Sequence, residues 1–180
     1  MTAFRARCNS AMNTGHSQTH FVAIGANLPG LCGPNPQAAC EHGLRAIVSL
    51  PYLHGAVLSR WYSSAPIPAA DQSRYINVIV RVEGVVTPEK LLADLQAIEA
   101  QAGRIRGKPN EARVLDLDII DMGGLLRPTP DPILPHPRAH LRAFVLLPLR
   151  DVAPNWTHPT LHAQIATLLA ALPPQDIHPV

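Results

Sequence analysis

The chain has 180 residues, 47% of them apolar, enough for one buried core and too few for two ordinary domains. A formal charge of only +2 excludes nucleic-acid binding driven by overall charge, and no apolar run approaches the roughly 20 residues that cross a bilayer. Cys8, Cys32 and Cys40 show no Cys-x-x-Cys spacing, which argues against a disulfide framework or zinc knuckle and fits a reducing cytoplasm.

Residues 1–19 hold Arg5 and Arg7, no acid and no apolar core, and read as a flexible tail. The run HFVAIGANL at 20–28 reads as a strand ending in a tight turn at Gly25 and Asn27. From Pro36 to Leu50 the apolar residues Ala39, Leu44, Ile47 and Val48 recur at helical spacing, and Pro51 stops them. AVLSRWYSS at 56–64 and YINVIVRVEGVV at 75–86 are rich in β-branched and aromatic residues and read as two strands around a Pro-rich loop. Thr87, Pro88 and Glu89 form a helix start, Leu91, Leu92, Leu95 and Ile98 give it one apolar face, and Gly103 ends it.

RIRGKPNEA then reads as a basic loop, suited to be a lid, leading into the strand RVLDLDII. The order βαββαβ predicts an α+β ferredoxin-like sandwich, its antiparallel sheet covered on one face by helices. Short further helices are expected in HPRAHLRAFVLLPLRDVAP and TLHAQIATLLAAL. The expected domain runs from 20 to 172, with residues 173–180 as a second tail.

Strand alternation puts Asp116 and Asp118 on one face and Leu115, Leu117 and Ile119 on the other. At about 3.3 Å per residue the two Cβ atoms lie about 6.5 Å apart, a spacing that suits carboxylates sharing one or two hard cations. The same pattern also describes the wet half of an amphipathic strand. The company distinguishes the two: Arg104, Arg106, Lys108 and Arg113 precede the pair, and His136, Arg138 and Arg142 follow it. Arginine forks bind phosphate oxygens bidentately, so the cluster points to metal and phosphate together.

In order and spacing, FVAIGANL, YINVIVRV, IEAQAGRIR, RVLDLDII and LPHPRAHLRAFVLLPL resemble the 6-hydroxymethyl-7,8-dihydropterin pyrophosphokinases of folate biosynthesis, over residues 20–170. The resemblance implies attack of a pterin hydroxymethyl oxygen on the β-phosphorus of ATP, releasing AMP. It implies two magnesium ions on Asp116 and Asp118, and triphosphate contacts from Arg104, Arg106, Arg113, His136 and Arg142, with Gln96 on the nucleotide side. It implies a pterin stacked between Tyr75 and Phe144, read by Asn77 and walled by Ser64, Pro66 and Ile67. Arg104 and Arg113 would act in catalysis beside Asp118, which through its metal is the candidate base. The expected enzyme is a cytoplasmic monomer acting on small molecules, with no nucleic-acid or membrane partner.

Pro109 and Glu111 depart from the family pattern, and an acid beside a triphosphate repels it, so a catalytically altered paralogue that binds a pterin or nucleotide is one alternative. An RNA-binding module shares the βαββαβ order but needs exposed aromatics on the sheet, where this chain offers aspartates. A zinc protein is the third alternative, from His136 with His140 and His158 with His162 at i, i+4 spacing.

Overall fold

The computed structural model describes residues 16–104 and 111–180. In chain order the described elements are β1 (Gln18–Ala26), α1 (Pro36–Val48), β2 (Leu53–Leu58), β3 (Tyr62–Ser64), β4 (Tyr75–Gly84), α2 (Pro88–Gln101), β5 (Asp116–Met122), a 3-10 turn (Ala139–Leu141), α3 (Ala143–Val152), α4 (Ile165–Ala171) and β6 (Ile177–Pro179). Both early helices start as their sequences dictate. Asn35 and Thr87 accept the backbone N–H of Ala38 and Lys90, and a proline follows each cap.

The strands form one sheet in the order β5-β1-β4-β3-β6, with β2 also on β4, and every pairing is antiparallel. This is the expected α+β ferredoxin-like sandwich with three differences. First, AVLSRWYSS is two strands. The chain leaves the ladder after Leu58, Ser59 Oγ accepts the Ile79 N–H at 3.0 Å in its place, and β3 resumes on the same strand at Tyr62.

Second, helices cover both faces of the sheet. Val22, Ile24, Val80, Leu115, Leu117 and Ile119 pack against Leu91, Leu95 and Ile47 of α1 and α2. Phe21, Ile79 and Ile120 pack on the opposite side against Val145, Leu146, Leu149, Ile165 and Leu168 of α3 and α4. Each fully buried side chain of this kind contributes about 1.5–3 kcal/mol. The central strands are therefore covered on both sides, whereas an RNA-recognition sheet keeps one face open for bases.

Third, residues 173–180 are not merely a tail. Ile177–Pro179 is an edge strand on β3, in the register Ser64 opposite Ile177. Three residues are too few to show a period of two. At the other end of the domain the strand starts at Gln18, two residues earlier than expected.

A bulge in β5 also alters one side chain's address. Phe21 of β1 opposes Asp121 while Val22 opposes Ile119, so Ile120 is the extra residue and the alternation shifts there. Asp121 is thereby buried on the α3 side, where it accepts Trp156 Nε1–H at 2.8 Å and the Gly124 N–H at 2.9 Å.

Candidate active site

The cavity begins with small residues in β1. Across the sheet Ala23 lies between Asp118 and Ile79, and Gly25 between Asp116 and Asn77. Facing α3 without bulk, these two residues leave a floor with β5 carboxylates on one side and a β4 amide on the other. A Cβ on Gly25 would already stand 3.6 Å from Asn77 Oδ1. The resulting cavity holds about 520 Å³ and is lined by Ser64, Pro66, Ile67, Tyr75, Asn77, Gln96, Arg104, Arg113, Asp116, Asp118, His136, Arg142 and Phe144. Arg106, with Lys108 and Pro109 of the proposed lid, lies outside the described residues.

Charge is arranged around Asp116. Arg104 Nη1 meets its Oδ1 at 2.7 Å and Arg113 Nη1 meets its Oδ2 at 2.6 Å. Asp118 is less engaged: its side chain is 41% exposed to the cavity, and His136 Nε2 stands 3.8 Å from its Oδ2. Burial raises the Asp118 carboxyl above its ordinary range and the Asp116 charge adds to this, against the lowering pull of Arg142, Arg113 and Arg104.

His136 is neutral at physiological pH. Burial, with Arg142 and Arg138 beside it, pushes its pKa down to about 4. Its Nδ1 accepts the Arg138 N–H at 3.1 Å, so the ring proton sits on Nε2, on the side of Asp118. Burial, followed by the charge of Arg138, also lowers the Arg142 pKa from its usual value, and its Cζ stands 5.3 Å from the Phe144 ring centroid.

The other end of the cavity is less charged. Asn77 Nδ2 donates to Ser64 Oγ at 3.0 Å and to Tyr75 O at 3.4 Å, which satisfies a buried amide and fixes its direction. The Tyr75 hydroxyl donates to the Glu111 carbonyl at 3.2 Å, with Gln72 Oε1 3.4 Å away. Glu111, the residue at odds with the family pattern, thus lines the cavity mouth and its backbone anchors Tyr75.

Two residues escaped the sequence reading. Glu99 of α2 is buried, accepts the Leu117 N–H at 2.7 Å, and is ion-paired with Arg104, so it aims Arg104 at Asp116. Burial pushes its carboxyl up to about 7. Its signal was available: position 99 lies four after Leu95, on the apolar stripe of α2, where an acid is out of place. Asn27 is the second. Its Oδ1 accepts the Arg113 N–H at 2.7 Å and its Nδ2 donates to Ser73 O at 3.1 Å, linking the segment that enters β5 to the loop before Tyr75.

The histidine pairs of the zinc alternative do not assemble. His136 faces the cavity, whereas His140 packs edge-on against His158, ring centroids 5.3 Å apart. His158 Nδ1 is taken by the N–H groups of Thr160 and Leu161. Among the described residues no helix is long and apolar enough to cross a membrane.

Comparison with known proteins agrees with this geometry. The sequence profile of 7,8-dihydro-6-hydroxymethylpterin-pyrophosphokinase matches residues 21–154. A Pseudomonas aeruginosa protein named 2-amino-4-hydroxy-6-hydroxymethyldihydropteridine pyrophosphokinase is 37% identical over 160 residues, 89% of this chain and 95% of its own. A Haemophilus influenzae protein of the same name is 34% identical over 84% of this chain and 90% of its own. Among solved structures, Plasmodium falciparum HPPK-DHPS shares the fold with a TM-score of 0.67 at 14% identity, covering 86% of this chain and 43% of that longer one. The chain belongs to the 7,8-dihydro-6-hydroxymethylpterin-pyrophosphokinase family.

Proposed function

We propose that the cavity between β1, β4, β5 and α3 binds ATP and 6-hydroxymethyl-7,8-dihydropterin side by side and transfers a pyrophosphoryl group between them. The activity is that of a pyrophosphokinase of folate biosynthesis with ATP as co-substrate. The hydroxymethyl oxygen forms a bond to the β-phosphorus, the bond from that phosphorus to the α–β bridging oxygen breaks, and AMP leaves with that oxygen. The observation that carries this assignment is the placement of Asp116 and Asn77 on either side of Gly25, which puts a cationic, carboxylate-bearing end and an amide-and-ring end on one floor.

Asp116 and Asp118 suit magnesium. Hard carboxylate oxygens on one strand face, with open cavity beside them, leave the remaining ligand positions to phosphate oxygens and water, as this ion prefers. Bound there, two magnesium ions would neutralise charge on the transferring group. Arg104, Arg113 and Arg142 orient the phosphates, joined by Arg106 from the lid, and His136 donates its Nε2 proton without adding charge. Gln96 faces the nucleotide. Tyr75 and Phe144 stack the pterin, while Asn77 with Ser64, Pro66 and Ile67 reads and walls it. Asp118, through the metal it would hold, is read as the base for the hydroxymethyl proton.

Positioning and charge complementarity carry such a transfer without a covalent enzyme intermediate. The enzyme is read as a monomer, since one chain supplies every proposed role, and as cytoplasmic from its cysteine usage. Steady-state kinetics of two alanine variants test the division of the cavity. Phe144→Ala raises the pterin KM and leaves the ATP KM within about twofold, while Arg113→Ala does the reverse; a shared or swapped pattern contradicts the assignment.

A further inference from the structure

We infer that the strap joining α4 to β6 fixes the two walls of the pterin slot relative to one another, with Gln175 as a positioning residue that acts through the first turn of α3. The inference rests on the pterin assignment above and adds a residue beyond the 21–154 match of the family profile.

α3 has no side-chain cap of its own. The first N–H groups of any helix lack intrahelical partners. α3 begins right after Arg142, whose side chain makes no capping bond, because a guanidinium carries only donors and this one lines the cavity. The missing acceptor comes from far along the chain. Gln175 Oε1 accepts the Ala143 N–H at 2.8 Å, and Gln175 Nε2 donates to Leu141 O at 3.0 Å.

One amide therefore brackets Arg142, bonding the residue before it and the residue after it. Phe144 is the next residue, its ring under the Arg142 guanidinium. Gln175 is not among the residues that line the cavity, so its effect on substrate passes through this turn.

The following residue holds the opposite wall. Asp176 O accepts the Ala65 N–H at 2.9 Å, and Ala65 stands between Ser64 and Pro66 of the pterin wall. The Asp176 carboxylate takes Arg74 Nη1 at 2.5 Å and Nη2 at 3.0 Å, while Arg74 Nε donates to Ser63 Oγ at 2.9 Å. Tyr75 follows Arg74 directly. Two adjacent strap residues thus reach the Phe144 side and the Tyr75 side of one slot, and the spacing between those walls depends on them. The ion pair is exposed and contributes little by itself; the backbone bond and the Gln175 amide carry the restraint.

The test measures pterin KM and kcat at saturating ATP, with the melting temperature, for wild type, Gln175→Ala, Gln175→Glu and a chain ending at Gln175. Saturating ATP removes any loss of phosphate affinity through Arg142 from the reading. Gln175→Ala is expected to raise the pterin KM about fivefold, the effect of losing such hydrogen bonds, with kcat within about twofold and melting within about 2 °C. Gln175→Glu keeps the acceptor for Ala143 and restores part of the affinity. The shortened chain, lacking the Asp176 carbonyl, raises the pterin KM as well. An unchanged pterin KM in Gln175→Ala overturns the inference, as does an equal loss in the alanine and glutamate variants that tracks a fall in melting temperature. Wild-type protein that forms no AMP overturns the reading of the cavity itself, whereas active wild type with an unresponsive Gln175→Ala overturns the strap alone.

Discussion

Asn27 reaches across 86 positions of sequence to accept the backbone N–H of Arg113 at 2.7 Å. The same amide donates to Ser73 O, two residues before Tyr75, so one side chain ties the Arg113 end of the cavity to the Tyr75 end. Asn27→Ala removes the acceptor of the half-buried Arg113 N–H and the donor to the exposed Ser73 carbonyl. The expected cost is about 0.5–1.5 kcal/mol of stability in a denaturant titration, together with a lower kcat/KM. Full stability would show that the loop, not Asn27, sets the position of Arg113.

Asp118 is placed at a cost to the fold, since burial and Asp116 both disfavour its ionised form. Asp118→Asn should therefore hold or raise the melting temperature while turnover falls by about 100-fold or more, the scale of losing a central electrostatic contact. Near-native turnover in Asp118→Asn with magnesium still bound would remove Asp118 as base and metal group.

Gly25 keeps the cavity floor open. An alanine there meets Asn77 Oδ1 at 3.6 Å, an ordinary contact, so Gly25→Ala should fold normally. Gly25→Val places more bulk between Asp116 and Asn77 and should raise the pterin KM on the order of tenfold with little change in melting. A valine variant with native KM would move the pterin elsewhere.

Acid should destabilise the metal-free protein through its buried histidines. Burial lowers the pKa of His20, held at 3.2 Å from Gly84 O, and of His158 below the free value of 6.5. Below pH 6.5 the unfolded chain then binds protons that the folded chain refuses. The histidine contribution to stability is complete above that pH and is lost as pH drops toward the lowered values, while the raised carboxyls of Glu99 and Asp118 act in the opposite sense. Urea midpoints at pH 7.5 and 5.0 measure the slope. His20→Gln, which keeps a donor for Gly84, should flatten it; an unaltered slope would assign the acid sensitivity to other groups.

Much of the site was legible because its residues are out of character for their elements. Asp116 and Asp118 inside an apolar strand, arginines clustered on both sides, and Asn77 inside YINVIV are each expensive unless used. What escaped depended on register and long-range pairing. The bulge at Ile120 moved Asp121 onto the cavity's side of the sheet, and no local pattern marks a bulge of this kind. The break at Ser59 was hidden because a serine hydroxyl replaced one ladder bond within a β-rich run. β6 and the Gln175 bonds were invisible because three residues carry no period and their partners lie far away in the chain. Glu99 was readable in hindsight from its place on the α2 stripe, whereas Asn27 looked like a strand terminator and nothing local distinguished it.

The most direct measurement follows the phosphorus atoms. Purified protein is mixed with 6-hydroxymethyl-7,8-dihydropterin, ATP and magnesium, and the nucleotide products are separated with time. Pyrophosphoryl transfer predicts AMP formed one for one with a pterin carrying two phosphorus atoms, and no net ADP. Accumulation of ADP with a singly phosphorylated pterin, or ATP left intact while pterin binds, would contradict it.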